Sequence, residues 1–415
     1  DKILDHRANN FLAIIHKGFR NTGIALLDVS TGEFLCAEGT DEYVDKVLMN
    51  FSPSEVVVSR SRLKEFAAQN GEKYYTYHLD DWVFTREYGE ETLLKHFGTT
   101  SLKGFGIHEM DDAVIAAGAA LYYLKQNHQE KVGHISALSR IDEDRYVWLD
   151  KFTIRNLELV SSPHENARTL VSILDHTISP MGARLLRRWI LMPLKEREPL
   201  LERQDVVHFF TEKREPAAEA GKLIGTIGDL ERLISKVAIR RINPRELVQL
   251  KRAMLAVDPL VTLCKFSGNE NLKMIGDQMN SCPALIALLE KTIHPDPPAL
   301  VAKGGVICDG ISSDLDELRQ IAFSGKDYLL KVQQRESERT GIPSLKISFN
   351  NVFGYYIEVT NSHKSKVPPE WTRKQTLVNA ERYITEELKV YEEKILGAEE
   401  KILAIEEQLY NDLVI

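Results

Sequence analysis

Two long segments near the C-terminal end of the chain carry apolar residues at alternating spacings of three and four. Such seams predict helices that pack along their length, here two antiparallel arms separated by about 45 residues. Each arm of about 30 residues would be about 45 Å long at ~1.5 Å per residue. The seam residues are Leu315, Leu318, Ala322, Gly325, Leu329 and Val332 in the first arm, and Leu388, Tyr391, Ile395, Ala398, Ile402, Ile405 and Leu409 in the second.

The stretch between the arms, residues 341–385, follows a different period. Apolar and polar residues alternate on both sides of a turn at 351–354, which predicts a β-hairpin over residues 345–360. A third strand is predicted at Gln375–Tyr383. The two periods together predict a small β-domain inserted at the tip of two helical arms.

The N-terminal part of the chain reads as a mixed α/β domain. Three short β-rich runs with glycine turns come first, and helical and strand-like segments then alternate, an order similar to an RNase H-like sheet. A helix from 109 to about 127 has an alanine-rich face suited to close packing, and residues 135–307 are mostly helical in period. The predicted fold is therefore multidomain α+β: an RNase H-like α/β domain, an all-helical core with two long arms, and a small β-rich insert.

Composition limits the kind of protein that this can be. The chain is 43% apolar and 27% charged, with no apolar run long enough for a transmembrane helix, which is typical of a soluble globular protein. Its four cysteines are too few for a disulfide scaffold and lack zinc spacing, so reduced, buried thiols are expected. The net charge of −8 means that any contact with nucleic acid must come from a local basic patch.

Motifs for nucleotide binding and hydrolysis are absent from the sequence. It contains no P-loop, complete dinucleotide fingerprint, H-E-x-x-H motif or G-x-S-x-G elbow. One enzymatic alternative is a two-metal nuclease in which Asp28 acts with Glu55, Asp80 or Asp81. The other interpretation is that Asp28 starts a turn and that the remaining acids cap helices.

The insert carries the best binding signal in the chain. Six basic residues against three acidic ones give it a charge of +3. Neutral donors are added by Asn350, Asn351, Asn361, Ser362, Thr372, Thr376 and Asn379. This mixture suits contacts to phosphate and sugar that position a protein on a duplex without reading bases. A solvated loop surface is the alternative, as is a pure interaction scaffold in which the arms pair with another chain.

Several strings in the helical region and the insert resemble signatures of the MutS mismatch-repair family. The longest runs from Leu174 to Trp189 and continues into Met192-Pro193-Leu194. The others are Arg155-Asn156-Leu157-Glu158-Leu159, Glu202-Arg203-Gln204, Gly228-Asp229-Leu230-Glu231-Arg232, Asn243-Pro244-Arg245-Glu246-Leu247, Arg339-Thr340-Gly341, Phe353-Gly354-Tyr355-Tyr356-Ile357, Gln375-Thr376-Leu377 and Asn379-Ala380-Glu381-Arg382-Tyr383.

The resemblance implies a domain for each region. These are a linker at 1–8, an RNase H-like connector at 9–127, a helical core at 128–310, an outgoing lever at 311–340, a clamp at 341–385 and a returning lever at 386–415. In the family the connector is not a nuclease but docks a MutL-type partner. The family's mismatch-reading Phe-x-Glu domain and its ATPase are not in this sequence, so we interpret the chain as a fragment. It is then not itself an enzyme, and ATP, Mg²⁺ and the homodimer belong to the full-length protein, which we expect in the bacterial cytoplasm, acting at the nucleoid.

The resemblance also implies which residues touch double-stranded DNA. Asn350 and Asn379 match positions where family clamps contact the duplex, whereas Val378 stands where some members have lysine. No catalytic, cofactor or metal residue and no membrane contact is predicted. The predicted DNA-binding residues are Lys346, Asn350, Asn351, Lys364, Lys366, Arg373, Lys374, Asn379 and Arg382.

Overall fold

The computed structural model describes residues 5–71, 73–127, 132–162, 164, 167–350 and 354–415. The chain divides into two compact units. The first comprises Asp1–Ile242 and Gln249–Ile286, and the second comprises Asn243–Val248 and Ala287–Ile415. Across the described ranges, no helix has the length and apolar character needed to span a membrane.

The first unit contains a mixed six-stranded sheet in the order β5-β4-β1-β2-β3-β6. Strands β1, β2 and β3 are antiparallel neighbours, while β4 pairs parallel with β1, β5 with β4, and β6 with β3. The sheet thus extends past residue 127, where the connector is predicted to end. The strands are β1 (Leu12–Lys17), β2 (Thr22–Asp28), β3 (Glu33–Gly39), β4 (Glu55–Ser59), β5 (Tyr75–Leu79) and β6 (Ser139–Arg140).

Helices cover both faces of this sheet, which explains why β2 is buried over its full length. Ala25 and Leu27 of β2 pack under α3 and α4, whereas Ile24 and Leu26 face α1. The alanine-rich face of α4 is fully buried, as predicted. It lets α4 approach α3 so closely that a Cβ built on Gly118 would lie 2.3 Å from the Cα of Gly89. The helices are α1 (Asp41–Phe51), α2 (Leu63–Asn70), α3 (Arg86–Phe97) and α4 (Asp111–Gln126).

The region after the sheet is helical, as the sequence predicts. Arg184 of α7 is buried there: its side chain is 3% exposed, and its guanidinium lies 2.7 Å from Asp229 and 2.6 Å from Glu231. Two of the strings that carry the family resemblance therefore meet in one ion cluster around a buried arginine. The helices are α5 (Lys151–Asn156), α6 (Leu170–Leu174), α7 (Pro180–Leu191), α8 (Arg197–Glu212), α9 (Arg214–Ile227), α10 (Leu230–Ala238), α11 (Pro244–Leu255), α12 (Val257–Lys265), α13 (Glu270–Gln278) and α14 (Pro283–Thr292).

Two long antiparallel helices dominate the second unit, α15 (Ser313–Thr340) and α16 (Glu386–Val414). The hydroxyl groups of Ser312 and Thr385 cap their N-termini, and α15 ends at Gly341, whose φ of 60° a glycine adopts without strain. The seam predicted for α15 is confirmed: five of its six residues are buried and the sixth is half-buried.

The seam predicted for α16 holds only over its first half. Leu388, Ile395 and Ala398 are buried, but Ile402, Ile405 and Leu409 are only half-buried. The buried residues near the end of α16 are instead Glu406, Tyr410 and Val414. The contact face follows a spacing of four there and places a carboxylate in the interior.

Residues 341–385, called the insert domain below, form a four-stranded antiparallel sheet in the order β7-β8-β10-β9. The single third strand predicted at Gln375–Tyr383 is wrong. A turn at 377–379, closed by a 2.8 Å hydrogen bond from the Leu377 N–H to the Ala380 carbonyl, divides it into two strands. No glycine or proline marks this turn in the sequence. The strands are β7 (Lys346–Asn350), β8 (Gly354–Thr360), β9 (Thr372–Thr376) and β10 (Ala380–Ile384).

Candidate nucleic-acid interface

The two ends of the insert sheet differ in their surroundings. At one end, Gly354 lies against the side of α16, and the neighbouring Tyr355 N–H donates to the Glu392 carboxylate at 3.3 Å. At the other end, Thr360 pairs with Ala380. We call this second end the tip, defined as the short 3₁₀ helix Asn361–Lys366 together with the turn at 377–379.

Hydrogen bonds hold the two parts of the tip together. The Asn361 backbone N–H donates to the Asn379 carbonyl at 3.1 Å, and the Asn361 side-chain amide donates to the Val378 carbonyl at 2.9 Å. Lys366 donates to the carbonyl of Gly341, where α15 ends, at 3.0 Å. These bonds leave the Asn379 and Val378 side chains exposed at the end of the arms.

The predicted DNA-binding residues do not all lie at the tip. Lys364, Lys366 and Asn379 belong to it, and Lys346 starts β7 on the same side of the sheet. Asn350 pairs with Gly354 at the opposite end, about 20 Å away along the strands at ~3.3 Å per residue. Asn351 lies outside the described residues.

Most of the basic residues of the insert already have partners within it. The Lys364 ammonium lies 2.5 Å and the Arg373 guanidinium 3.4 Å from the Glu381 carboxylate. Arg382 bonds to Glu358 at 3.0 Å and to Gln375 at 2.9 Å, and its guanidinium stacks over the Tyr356 ring.

Counting charges in the sequence therefore overstates the free cations. Among the described residues, only two of the six predicted basic side chains, Lys346 and Lys374, have neither an ion pair nor a hydrogen bond. Both are exposed. Lys374 lies on the edge strand at a register shift, where Arg382 pairs with Gln375 and the next residue of β10 pairs with Arg373. A basic residue on an edge strand also protects the sheet from pairing with another chain.

Glu381 was counted in the sequence only as a negative charge. It lies on the inner face of the sheet, across from Val359, and is 2% exposed because Lys364, Arg373 and Tyr383 cover it. The Lys364 ammonium, and then the hydroxyl of Tyr383, lower the pKa of this carboxyl. Burial, reinforced by Glu381, raises the pKa of Tyr383 to about 12. In the sequence, the signal for this inward position was that Glu381 lies two residues before Tyr383, and residues two apart in a strand share a face.

The carboxylates of the nuclease alternative are occupied by structural hydrogen bonds. Asp28 is fully buried and accepts from the Asn9 amide, the Asn10 N–H, the Ser30 N–H and the Ser30 hydroxyl at 2.7–3.1 Å. In the described part of the chain, no three His, Cys, Asp or Glu residues are grouped to hold a metal ion. The geometry agrees with Asp28 as a turn residue. The other three acids each have a partner: Glu55 with Tyr123, Asp80 with Arg60, and Asp81 with Ser61.

Comparison with known proteins finds two family matches along the chain, one over the sheet region and one over the helices and the insert domain. The family described as MutS domain II matches residues 9–136, and MutS domain III matches residues 152–414. Relatives named DNA mismatch repair protein MutS include those of Parabacteroides distasonis, 57% identical over 415 residues, and Phocaeicola vulgatus, 56% identical over 415 residues. That of Bacteroides fragilis is 56% identical over 414 residues. Each alignment covers 100% of this chain and 48% of the relative, so the chain spans about half the length of these relatives.

Proposed function

This chain belongs to the MutS family, and from that premise we propose that it acts in DNA mismatch repair by gripping the backbone of duplex DNA without reading its bases. In this proposal the insert domain is the clamp, and α15 and α16 are the levers that carry it. The boundaries of the clamp and the levers are those predicted from the sequence.

The observation that carries the proposal is the composition of the tip. It presents amide, hydroxyl and ammonium groups at the end of two arms about 42 Å long, at ~1.5 Å per residue. Lys346 and Lys374 add ammonium groups without protein partners among the described residues. Such donors bind phosphate and sugar and position a protein without sequence specificity.

We assign the levers the second role, transmission of conformational change between DNA and a nucleotide site. Two sets of contacts support it, because each joins the arms to each other. About midway along α15, Tyr328 stacks on Tyr391 with ring centres 3.9 Å apart, and at the end away from the insert domain Arg319 bonds to Glu406 at 2.7 Å. The arms therefore move as a pair, as a relay between two sites requires.

The remaining assignments rest on the family. We propose that the six-stranded domain is an RNase H-like connector that docks a MutL-type partner, supported by its three antiparallel strands followed by two parallel ones. We propose further that ATP hydrolysis with Mg²⁺, mismatch reading and homodimer contacts belong to the part of the relatives that this chain does not span. The chain itself then acts in the cytoplasm without catalysing a reaction.

Fluorescence anisotropy of a labelled duplex of ~30 base pairs tests the grip. The probes are a matched duplex and one with a single G·T mismatch, each titrated at several salt concentrations. We expect equal affinities with a log–log salt slope near −3.6, the value for about four phosphate contacts at ~0.9 each. Changing Lys346 and Lys374 together to alanine removes up to two contacts and reduces the slope by up to ~1.8.

Lys401→Ala, at an exposed lysine on α16 far from the tip, is the matched control and leaves the slope unchanged. Preference for the mismatch would contradict a grip that reads no bases. Absence of binding at low salt, together with a salt-insensitive dimer, would favour the scaffold alternative.

A further inference from the structure

Glu381 is a carboxylate in a place where an apolar residue would fit. It lies in β10 between Val359 of β8 and Thr376 of β9, on the face that packs the core of the insert domain. At 2% exposure the Glu381 carboxylate has lost its hydration, and pairing with a cation repays that cost only where the geometry is very good, so an apolar side chain of similar volume would often stabilise the fold as well. A reason other than stability is therefore needed for this charge.

The two cations on Glu381 come from different parts of the binding surface. Lys364 belongs to the tip helix and Arg373 to the edge strand β9. Their side chains are 54% and 58% exposed, although their charged ends contact a carboxylate that is 2% exposed. Both cations can thus meet a phosphate from the solvent side while Glu381 holds them from the inside.

The charge of this trio decides how strongly it attracts DNA. Two cations and one carboxylate carry a net charge of +1, so a phosphate that approaches Lys364 and Arg373 competes with Glu381. A glutamine at the same position would keep an oxygen to accept from Lys364, but the net charge would become +2.

We propose that Glu381 attenuates the DNA grip: it fixes the positions of Lys364 and Arg373 and withholds one unit of their charge from the phosphates. This inference rests on the proposed function, since it concerns the same binding surface. A weakened grip suits a clamp that reads no bases, because non-specific contacts must release as the protein moves along the duplex.

The test measures binding of a matched ~30-base-pair duplex by wild type and Glu381→Gln as salt is varied. One added phosphate contact makes the log–log slope steeper by ~0.9. If the two proteins bind equally at 1 M salt, Glu381→Gln then binds roughly 15-fold more tightly than wild type at 50 mM. A substitution that only damaged the fold would weaken binding, so a gain in affinity distinguishes attenuation from a structural role.

Two further variants make the result specific. Glu370→Gln removes the same unit of charge from the insert, but its partner Arg339 keeps a second carboxylate, Glu336, at 2.7 Å. This control leaves the slope unchanged. Adding Lys364→Ala to Glu381→Gln returns the slope to the wild-type value. If Glu381→Gln lowers the unfolding temperature, Glu381→Asp is used in its place. The shorter side chain draws the carboxylate away from Lys364 and Arg373, so we expect a smaller gain in DNA affinity than from glutamine.

The outcomes separate this inference from the proposed function. If wild type binds the duplex and neither Glu381 variant binds more tightly, attenuation by Glu381 is overturned and the proposed grip still stands. An equal gain in Glu370→Gln would also overturn it, because general charge would then explain the effect. If neither wild type nor Glu381→Gln binds duplex at low salt, the proposed grip itself is wrong.

Discussion

The ion pair at the base of the arms allows the sharpest prediction about stability. The Glu406 carboxylate is fully buried and accepts from Arg319 at 2.7 Å and from the Val306 N–H at 2.8 Å. Arg319 also bonds to the Ile307 carbonyl at 2.7 Å and to Asp309 at 2.6 Å. One carboxylate thus fastens α15, α16 and the loop before α15 to one another.

Two substitutions at this pair should differ in cost. Glu406→Gln keeps an oxygen that accepts from the Val306 N–H, but it loses a charge-assisted bond worth about 1.5–3 kcal/mol. Asp309 still neutralises Arg319 in this variant. We therefore expect the free energy of unfolding to fall by about 2 kcal/mol. Arg319→Ala leaves a buried carboxylate without its cation, which costs about 3–5 kcal/mol. Glu399→Gln is the control: it breaks an exposed pair with Lys326 on the same helices, worth under about 1 kcal/mol.

The assay is urea unfolding monitored by hydrogen exchange at the α15 and α16 amides. This local probe is needed because a chain of two units need not unfold in one step. The predicted order of cost is Arg319→Ala, then Glu406→Gln, then Glu399→Gln. If Glu406→Gln were as harmless as the control, or costlier than Arg319→Ala, the argument that Glu406 is a buried, paired charge would fail.

Two further predictions concern a close helix contact and a buried carboxyl group beside the six-stranded sheet. Gly118→Ala should destabilise the protein by about 2 kcal/mol in urea unfolding, because its Cβ would meet the Gly89 backbone. Gly325→Ala should destabilise it less, because the new Cβ meets only a side chain. Equal losses of stability would contradict the close approach of α3 and α4. Burial, and then the charge of Glu38, raises the pKa of Asp112 to about 6. The folded state therefore binds the Asp112 proton more tightly than the unfolded state does, and stability falls as pH rises from about 4 to about 6. Asp112→Asn should then match wild type near pH 4 and be up to about 3 kcal/mol more stable at pH 7.5. A pH-independent difference would contradict this.

Local period predicted the architecture well wherever one face of an element is buried. The α15 seam and the hairpin at 345–360 follow directly from spacings of three and four and of two. The end of α16 was missed because Glu406 occupies a buried position that the pattern assigns to apolar residues. The division of the third strand was missed because Leu377 and Val378 continue the apolar pattern through a turn.

The candidate binding surface was less predictable than the fold. Composition singled out the insert as the candidate binding region, but charge counts cannot show which cations are already paired. Lys364, Arg373 and Arg382 meet carboxylates only because β10 lies between β8 and β9, an order that pairs residues distant in sequence. Asn350 and Asn379, which the family resemblance grouped together, lie at opposite ends of the sheet, because Asn350 pairs with Gly354 whereas Asn379 precedes Ala380, the partner of Thr360.

The reduced thiols expected from the sequence are only partly buried. Cys36 and Cys264 are buried, but Cys282 is exposed and Cys308 is half-buried. Serine at the latter two positions leaves a background into which a single reactive cysteine can be introduced.

The central claim, that the tip meets the DNA backbone, is tested most directly by cleavage of the duplex from that point. An iron chelate attached at Asn379→Cys or at Asn350→Cys in this background generates hydroxyl radicals at the two ends of the insert sheet. We predict strong, sequence-independent cleavage of a matched duplex from position 379 and much weaker cleavage from position 350. Equal cleavage from both, or none from 379 while binding is intact, would contradict a grip formed at the tip.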